Sequence, residues 1–341
     1  MLRAFAFSLL AVVRASSAAK ILVIAPTPSI SHQLPFHILS KALLWRGYRV
    51  TILMTDSMKI SHENYTEIDL SVAYRPIRGD YDFVKIYEEP PIKSMNIMQG
   101  VVGYSAEVQL NETSVQSFIR SGEPYDLEIL EGFIYVCYYG LVHKMGSPPV
   151  VKLLTLTAPS SVYYNFGSAM NPAFMPDMWL GSSKCATLHY SRLNKATYHA
   201  IPLLAIPFFG DQAHNAAKVR QSGTGVWLEY SDVTNDTLLR DIRTVVHDSK
   251  YRDSMRTLSS IFREHRVDSL ERAVWWLEYV IRHKGALHLR SAAIDLHWWQ
   301  RLLLDVVAFM LVVAAIAVYL MCISFRRLVQ LLLGYKSEDK S

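Results

Sequence analysis

Cysteine is scarce in this chain: three in 341 residues, at positions 137, 185 and 322. They form no CxxC pair and no Cys/His spacing suited to a metal, so a zinc module or a dense disulfide framework is excluded and no metal site is expected. Cys322 falls inside a long apolar run. A Cys137–Cys185 bridge stays open beside the plainer reading of small buried hydrophobes. Excess charge of one sign is also missing. The formal net charge is +5, and no Lys/Arg run is interleaved with aromatics, which argues against a nucleic-acid partner. Internal repeats and low-complexity tracts are absent too.

Apolar residues are abundant, at 51% of the chain with a positive mean hydropathy. Both ends account for part of this. Residues 1–19 combine Arg3, an apolar stretch from Ala4 to Val13 and small residues up to Ala19, the pattern of a secretory signal peptide. Val306 to Phe325 is apolar except for Tyr319 and Ser324, and a bilayer-spanning helix needs about 20 such residues. Trp298 and Trp299 precede the run, and Arg326 and Arg327 follow it, as interfacial anchors and a cytosolic basic stop would. The expected organisation is a single-pass membrane protein, with a transmembrane helix over 303–325, a cytosolic tail over 326–341 and the body in a lumen. Three sequons on the lumenal side, at Asn64, Asn111 and Asn235, are candidate glycosylation sites.

Between the ends the hydrophobic pattern reads as α/β. Ile21 to Ala25 is a compact strand and PTPSISHQ a loop. Leu34 to Trp45 has helical spacing, with Gly47 beyond its end, and Val50 to Met54 is a second strand. This order opens a parallel sheet, whose ligands lie beyond the carboxyl ends of its strands. Further strands are expected at Leu127–Leu130 and Pro149–Leu154, with helices through MNIMQGVVG and Tyr138–Met145. Residues 158–197 read as a long loop. After them come a strand at Leu203–Ile206, a helix at Ala213–Gln221, a short strand at Val226–Leu228 and helices at Thr237–His247, Tyr251–Arg263 and Leu270–Arg282. About two strands in that second half are fewer than the five or six of a doubly wound nucleotide domain.

The segment PLLAIPFFGDQAHN, followed by KVRQSGTGVWLEYSDVT and AVWWLEYVIRHKGALHLRSAA, resembles the membrane-anchored animal UDP-glycosyltransferases of the UDP-glucuronosyltransferase group. So does the opening ILVIAPTPSISHQLPFHILSKALLWRGYRVTIL, with YDLEILEGF and NPAFMP. The resemblance implies a GT-B-like fold: a Rossmann-like acceptor domain over 20–190 and a truncated Rossmann-like UDP-sugar domain over 191–300. The first βα units of that second domain and its His-Gly-Gly element are missing, and TLHYSRLNKA stands in their place.

The activity implied is inverting transfer of a hexose or glucuronic acid from a UDP-sugar to a hydroxyl of a small lipophilic acceptor. UDP-sugar serves as co-substrate and no cofactor is needed. His32 is the candidate base, since imidazole titrates near neutral pH; by position alone it could equally cap the following helix. Glu131 would orient that His, or it is a solvated loop acid. Asp211, Gln212 and Asn215 are the candidate donor-sugar ligands, although Asp211 also suits an ordinary helix N-cap. The resemblance further implies an endoplasmic reticulum membrane location and association with itself or with related enzymes. The alternative is a catalytically inactive anchored form, a splice product or gene-model fragment, that binds acceptors or pairs with full-length enzymes.

Overall fold

The computed structural model describes residues 18–75, 77, 81–132, 135–155, 162–163, 192–208, 212–264, 269–289 and 291–338. Residues 1–17 of the expected signal peptide, Cys185 and Asp211 fall outside these.

Five parallel strands form the principal sheet: β1 (Lys20–Ala25), β2 (Arg49–Met54), β3 (Tyr65–Asp69), β4 (Leu127–Glu131) and β5 (Val150–Leu153), in the order β3-β2-β1-β4-β5. β1 is central and its run KILVIA is buried from Ile21 onward. Unbroken apolar composition is what a parallel strand covered on both faces requires. Alternate side chains serve two cores. Ile21 and Val23 pack with Ile52, Leu127 and Ile129 beneath α1 (Ile30–Trp45). Leu22 and Ile24 pack with Leu53 and Leu130 on the other face, under α3 (Pro91–Leu110), α4 (Thr113–Ser121) and α5 (Tyr139–Lys144). A shorter helix, α2 (Phe83–Glu88), precedes α3.

α1 begins one turn earlier than its apolar spacing suggests. Its first turn, Ile30 to Gln33, is mostly polar, so the periodicity becomes visible only from Leu34. Pro35 therefore lies inside the helix rather than at its start. Ser31 and His32 consequently belong to the first helical turn, not to the loop. The N-cap position is Ser29, and its side chain makes no capping hydrogen bond. His32 is not a cap. At the far end Gly47, at φ +85°, takes the left-handed conformation that ends the helix, its N–H donating to Leu44 O at 2.9 Å.

The second half begins with α6 (Arg192–Tyr198), a helix in a stretch whose weak periodicity reads as loop. Its end is fixed from a distance: the Tyr198 carbonyl accepts from Ser259 and Arg263 of α9 (Ser249–Glu264). β6 (Leu203–Ala205), α7 (Gln212–Gln221) and β7 (Gly225–Trp227) make one parallel βαβ unit, a two-stranded sheet. α8 (Asn235–His247) follows, its N-terminus closed by a reciprocal capping box between Thr234 and Thr237. α10 (Ser269–Arg282) returns to the first sheet and buries Val274 and Leu277 in the α1 core. Arg46 at the end of α1 pairs with Glu271 and Glu278 of α10.

β6 and β7 approach so closely at Gly225 that a Cβ there would lie 1.9 Å from the Leu203 carbonyl oxygen and 2.7 Å from Val219 Cγ1. Backbone cannot yield as a flexible side chain does. Gly225→Ala is expected to cost about 3 kcal/mol and to loosen this unit, seen as a lowered Tm and faster proteolysis between residues 203 and 227.

Among the described residues, 291–338 belong to a separate compact unit. It contains α11 (Trp298–Arg301) and α12 (Leu304–Glu338). The segment Leu304–Val329, 26 residues of hydropathy 2.9 with no burial, is long and apolar enough to cross a membrane. At 1.5 Å per residue it measures about 39 Å, more than a hydrocarbon core of about 30 Å. The helix continues through Arg326 and Arg327, so the basic pair does not break it.

Candidate active site

The carboxyl edge of β1, β4 and β5 gathers the polar groups of the first half. β1 ends at Ala25 and the chain turns through Pro26–Ser29 into α1, which places His32 above the edge. β4 runs alongside β1, Ile24 opposite Leu130, so its last residue, Glu131, emerges at the same edge. The two side chains are 99 residues apart in sequence, yet His32 Nδ1 lies 2.7 Å from Glu131 Oε1. The glutamate arm reaches the ring. The other carboxylate oxygen, Oε2, accepts from the Thr27 backbone N–H at 3.1 Å. Glu131 is 2% exposed, a depth at which a carboxylate needs such partners. The His32 side chain keeps 12% of its surface exposed.

An ionised carboxylate only accepts hydrogen bonds, so its contact sets the hydrogen on Nδ1 and leaves Nε2 as the basic nitrogen. The carboxylate also stabilises the imidazolium formed when Nε2 takes a proton. This is the chemistry of a general base.

Side chains absent from the sequence-based site hold its loop in place. Gln33, fully buried, donates through Nε2 to Ala25 O at 2.9 Å and Thr27 O at 2.8 Å. Thr55 Oγ1 donates to Thr27 O at 3.2 Å. From the opposite face Gln109 Nε2 donates to Pro26 O at 2.8 Å, and Tyr138 OH donates to Gln109 Oε1 at 2.8 Å. Buried backbone carbonyls that leave a strand need donors, and amide side chains supply them here. Thr155, just past β5, adds its Oγ1 at 2.8 Å from His32 Nδ1. A Cβ on Gly132, next to Glu131, would meet Leu154 Cδ2 at 2.8 Å, so the Leu154 side chain would have to shift to admit one.

The expected donor-sugar ligands belong to the β6–β7 unit. Gln212 opens α7, and its Oε1 accepts from the Phe208 backbone N–H at 3.0 Å. Asn215 sits one turn on and is half-buried. Asp211 lies outside the described residues. Of the sequons, Asn111 is the exposed C-cap of α3 and Asn64 precedes β3. Asn235 is the exposed first residue of α8, and the hydroxyl of its sequon's Thr237 is engaged in the cap. A cavity of about 210 Å³, lined in part by Lys20, Arg49, Asn64 and Glu123, opens at the amino edge of the sheet, the end opposite His32.

Residues 191–338 match the family model described as UDP-glucoronosyl and UDP-glucosyl transferase. The chain is 40% identical over 151 residues to UDP-glycosyltransferase UGT5 of Dactylopius coccus, a match covering 43% of this chain and 29% of that protein. It is 44% identical over 126 residues to the human UDP-glucuronosyltransferase 2A3, covering 37% and 24%. The matches thus span 24–29% of the length of these relatives. Among solved structures, the glycosyltransferase of kitacinnamycin superposes with a TM-score of 0.51 at 12% identity, over 77% of this chain and 99% of that one. CalG4, the calicheamicin glycosyltransferase, gives 0.51 at 11%, over 79% and 100%. At such identities the likeness concerns fold alone, and that fold is GT-B. Over residues 191–338 the chain is similar to the UDP-glucoronosyl and UDP-glucosyl transferases, a likeness that spans less than half of its length.

Proposed function

We propose that the chain is a UDP-glycosyltransferase that moves a hexose or glucuronic acid from a UDP-sugar to a hydroxyl of a small lipophilic acceptor, with inversion. The observation that carries this is the His32–Glu131 contact at the carboxyl edge of the sheet; the family match supplies the donor class. His32 Nε2 takes the acceptor's hydroxyl proton as that oxygen attacks the anomeric carbon. The bond from that carbon to the UDP oxygen breaks, and UDP leaves with the electron pair. Attack opposite the leaving group inverts the centre in one displacement. Asp211, Gln212 and Asn215 bind the sugar hydroxyls in this scheme. The body lies in the lumen of the endoplasmic reticulum on a single membrane helix, with glycans at Asn64, Asn111 and Asn235 and with related enzymes as partners.

A second reading rests on a different observation: β6 and β7 are the only strands among the described residues after 191. A sheet of two strands supports an acceptor-binding relative without turnover. Microsomes from cells expressing the full chain, given radiolabelled UDP-glucose or UDP-glucuronic acid and a panel of lipophilic phenols, separate the two. Labelled conjugate above that of untransfected microsomes supports the transferase. Its absence across the panel, beside an active full-length relative, leaves the second reading.

A further inference from the structure

We propose that Thr155 is a positioning residue for His32, which the proposed function casts as the base. β5 lies in register with β4, Leu153 opposite Glu131. Leu153 faces the same core as Ile129, and side chains alternate along an extended chain. Two residues on, Thr155 therefore returns to the side from which Glu131 projects. Its Oγ1 is 2.8 Å from His32 Nδ1, the same nitrogen that Glu131 Oε1 meets at 2.7 Å.

One ring nitrogen thus has two oxygen neighbours, from the ends of two adjacent strands. If the threonine hydroxyl donated to Nδ1, that nitrogen would bear a lone pair facing the buried carboxylate. The carboxylate settles the matter: Nδ1 carries the hydrogen and Thr155 Oγ1 is its second acceptor. A single acceptor leaves the ring able to swivel about the N–H···O axis, whereas two acceptors off that axis fix its plane. Both contacts strengthen when Nε2 is protonated and the Nδ1–H becomes more polar. Thr155 therefore orients Nε2 and raises its affinity for a proton.

The test is spectroscopic. The full chain, ¹⁵N-labelled at histidine and solubilised in detergent, is followed by long-range ¹H–¹⁵N correlation through a pH titration, with the His32 signals assigned by their loss in His32→Gln. Thr155→Val keeps the shape and removes the hydroxyl. It is expected to lower the His32 titration midpoint by about 0.3–1 pH unit, a two- to tenfold change in protonation equilibrium, and to broaden the ring signals as the imidazole swivels about the remaining N–H···O axis, while Glu131 keeps the hydrogen on Nδ1. Thr155→Ser restores both. If valine perturbs the fold, Thr155→Ala gives the same comparison. An unchanged midpoint and line width in the valine or alanine variant, beside a shifted Glu131→Gln, overturns the proposal. Because the readout needs no turnover, a chain that transfers no sugar still reports on Thr155, and an active chain with an indifferent Thr155 refutes only this inference.

Discussion

Replacing His32 with alanine is expected to lower kcat for sugar transfer by 10²- to 10⁴-fold, with little change in the KM for the UDP-sugar. The magnitude is that of a lost general base. The asymmetry follows because the imidazole acts on the acceptor's proton in the transition state and not on the donor in the ground state. Glu131→Gln is the sharper probe. The glutamine amide keeps the size but can turn its NH₂ toward Nδ1. That selects the tautomer with hydrogen on Nε2, which cannot accept a proton, so the loss approaches that of removing the histidine. The two residues act as one unit through the 2.7 Å contact, and the double variant should be hardly slower than His32→Ala alone. Initial rates of labelled conjugate formation in matched microsomes decide this. Wild-type rates in His32→Ala would remove the base assignment, and losses that multiply in the double variant would show that Glu131 acts independently.

The elements that surround this site differ in how far the sequence discloses them. ILVIA and VTILM are short continuous apolar runs separated by a helical pattern, and β1, α1 and β2 fall where that pattern puts them, because a strand covered on both faces leaves no other composition open to it. The first turn of α1 escapes the same logic. Ile30 and Ser31 are exposed and His32 is half-buried, so this turn carries no apolar period. Gln33 is fully buried yet polar, since its task is to satisfy the carbonyls of Ala25 and Thr27. Nothing in spacing joins His32 to Glu131 across 99 residues; only sheet order does, and the family resemblance stood in for it. Thr155 and Gln109 had no signal at all, being single polar residues in a strand exit and a helix. α6 was hidden because its end is held by Arg263 and Ser259 from α9, not by its own seven residues.

Glu128 is the other long-range consequence of that sheet, and it should make the protein more stable in mild acid than in mild base. It sits mid-strand in β4 between Leu22 and Val150 of the neighbouring strands, 0% exposed, and neither carboxyl oxygen has a hydrogen-bond partner. Burial disfavours the charged form, and the carboxyl is pushed up to about 8 from 4.5. Between those values the folded chain holds a proton that the unfolded chain has released, so stability falls as pH rises through this window and is flat below and above it. At about 1.36 kcal/mol per pH unit the full window is worth roughly 5 kcal/mol, of which about 3 is already lost at pH 7. Glu128→Leu puts an apolar side chain of similar volume among apolar neighbours and abolishes the titration. Its Tm should match wild type near pH 4.5 or exceed it slightly, and lead by about 5–10 °C at pH 8. Glu128→Gln also flattens the profile but leaves an amide without partners, and should fall between the two. Thermal unfolding of the solubilised chain, followed by circular dichroism from pH 4.5 to 8.5, gives the three curves. Parallel wild-type and Glu128→Leu profiles would mean that the carboxyl finds a partner or water as it ionises. Divergence that grows from pH 5 to 8 would show that an isolated acid in the centre of the sheet sets the alkaline limit of the fold.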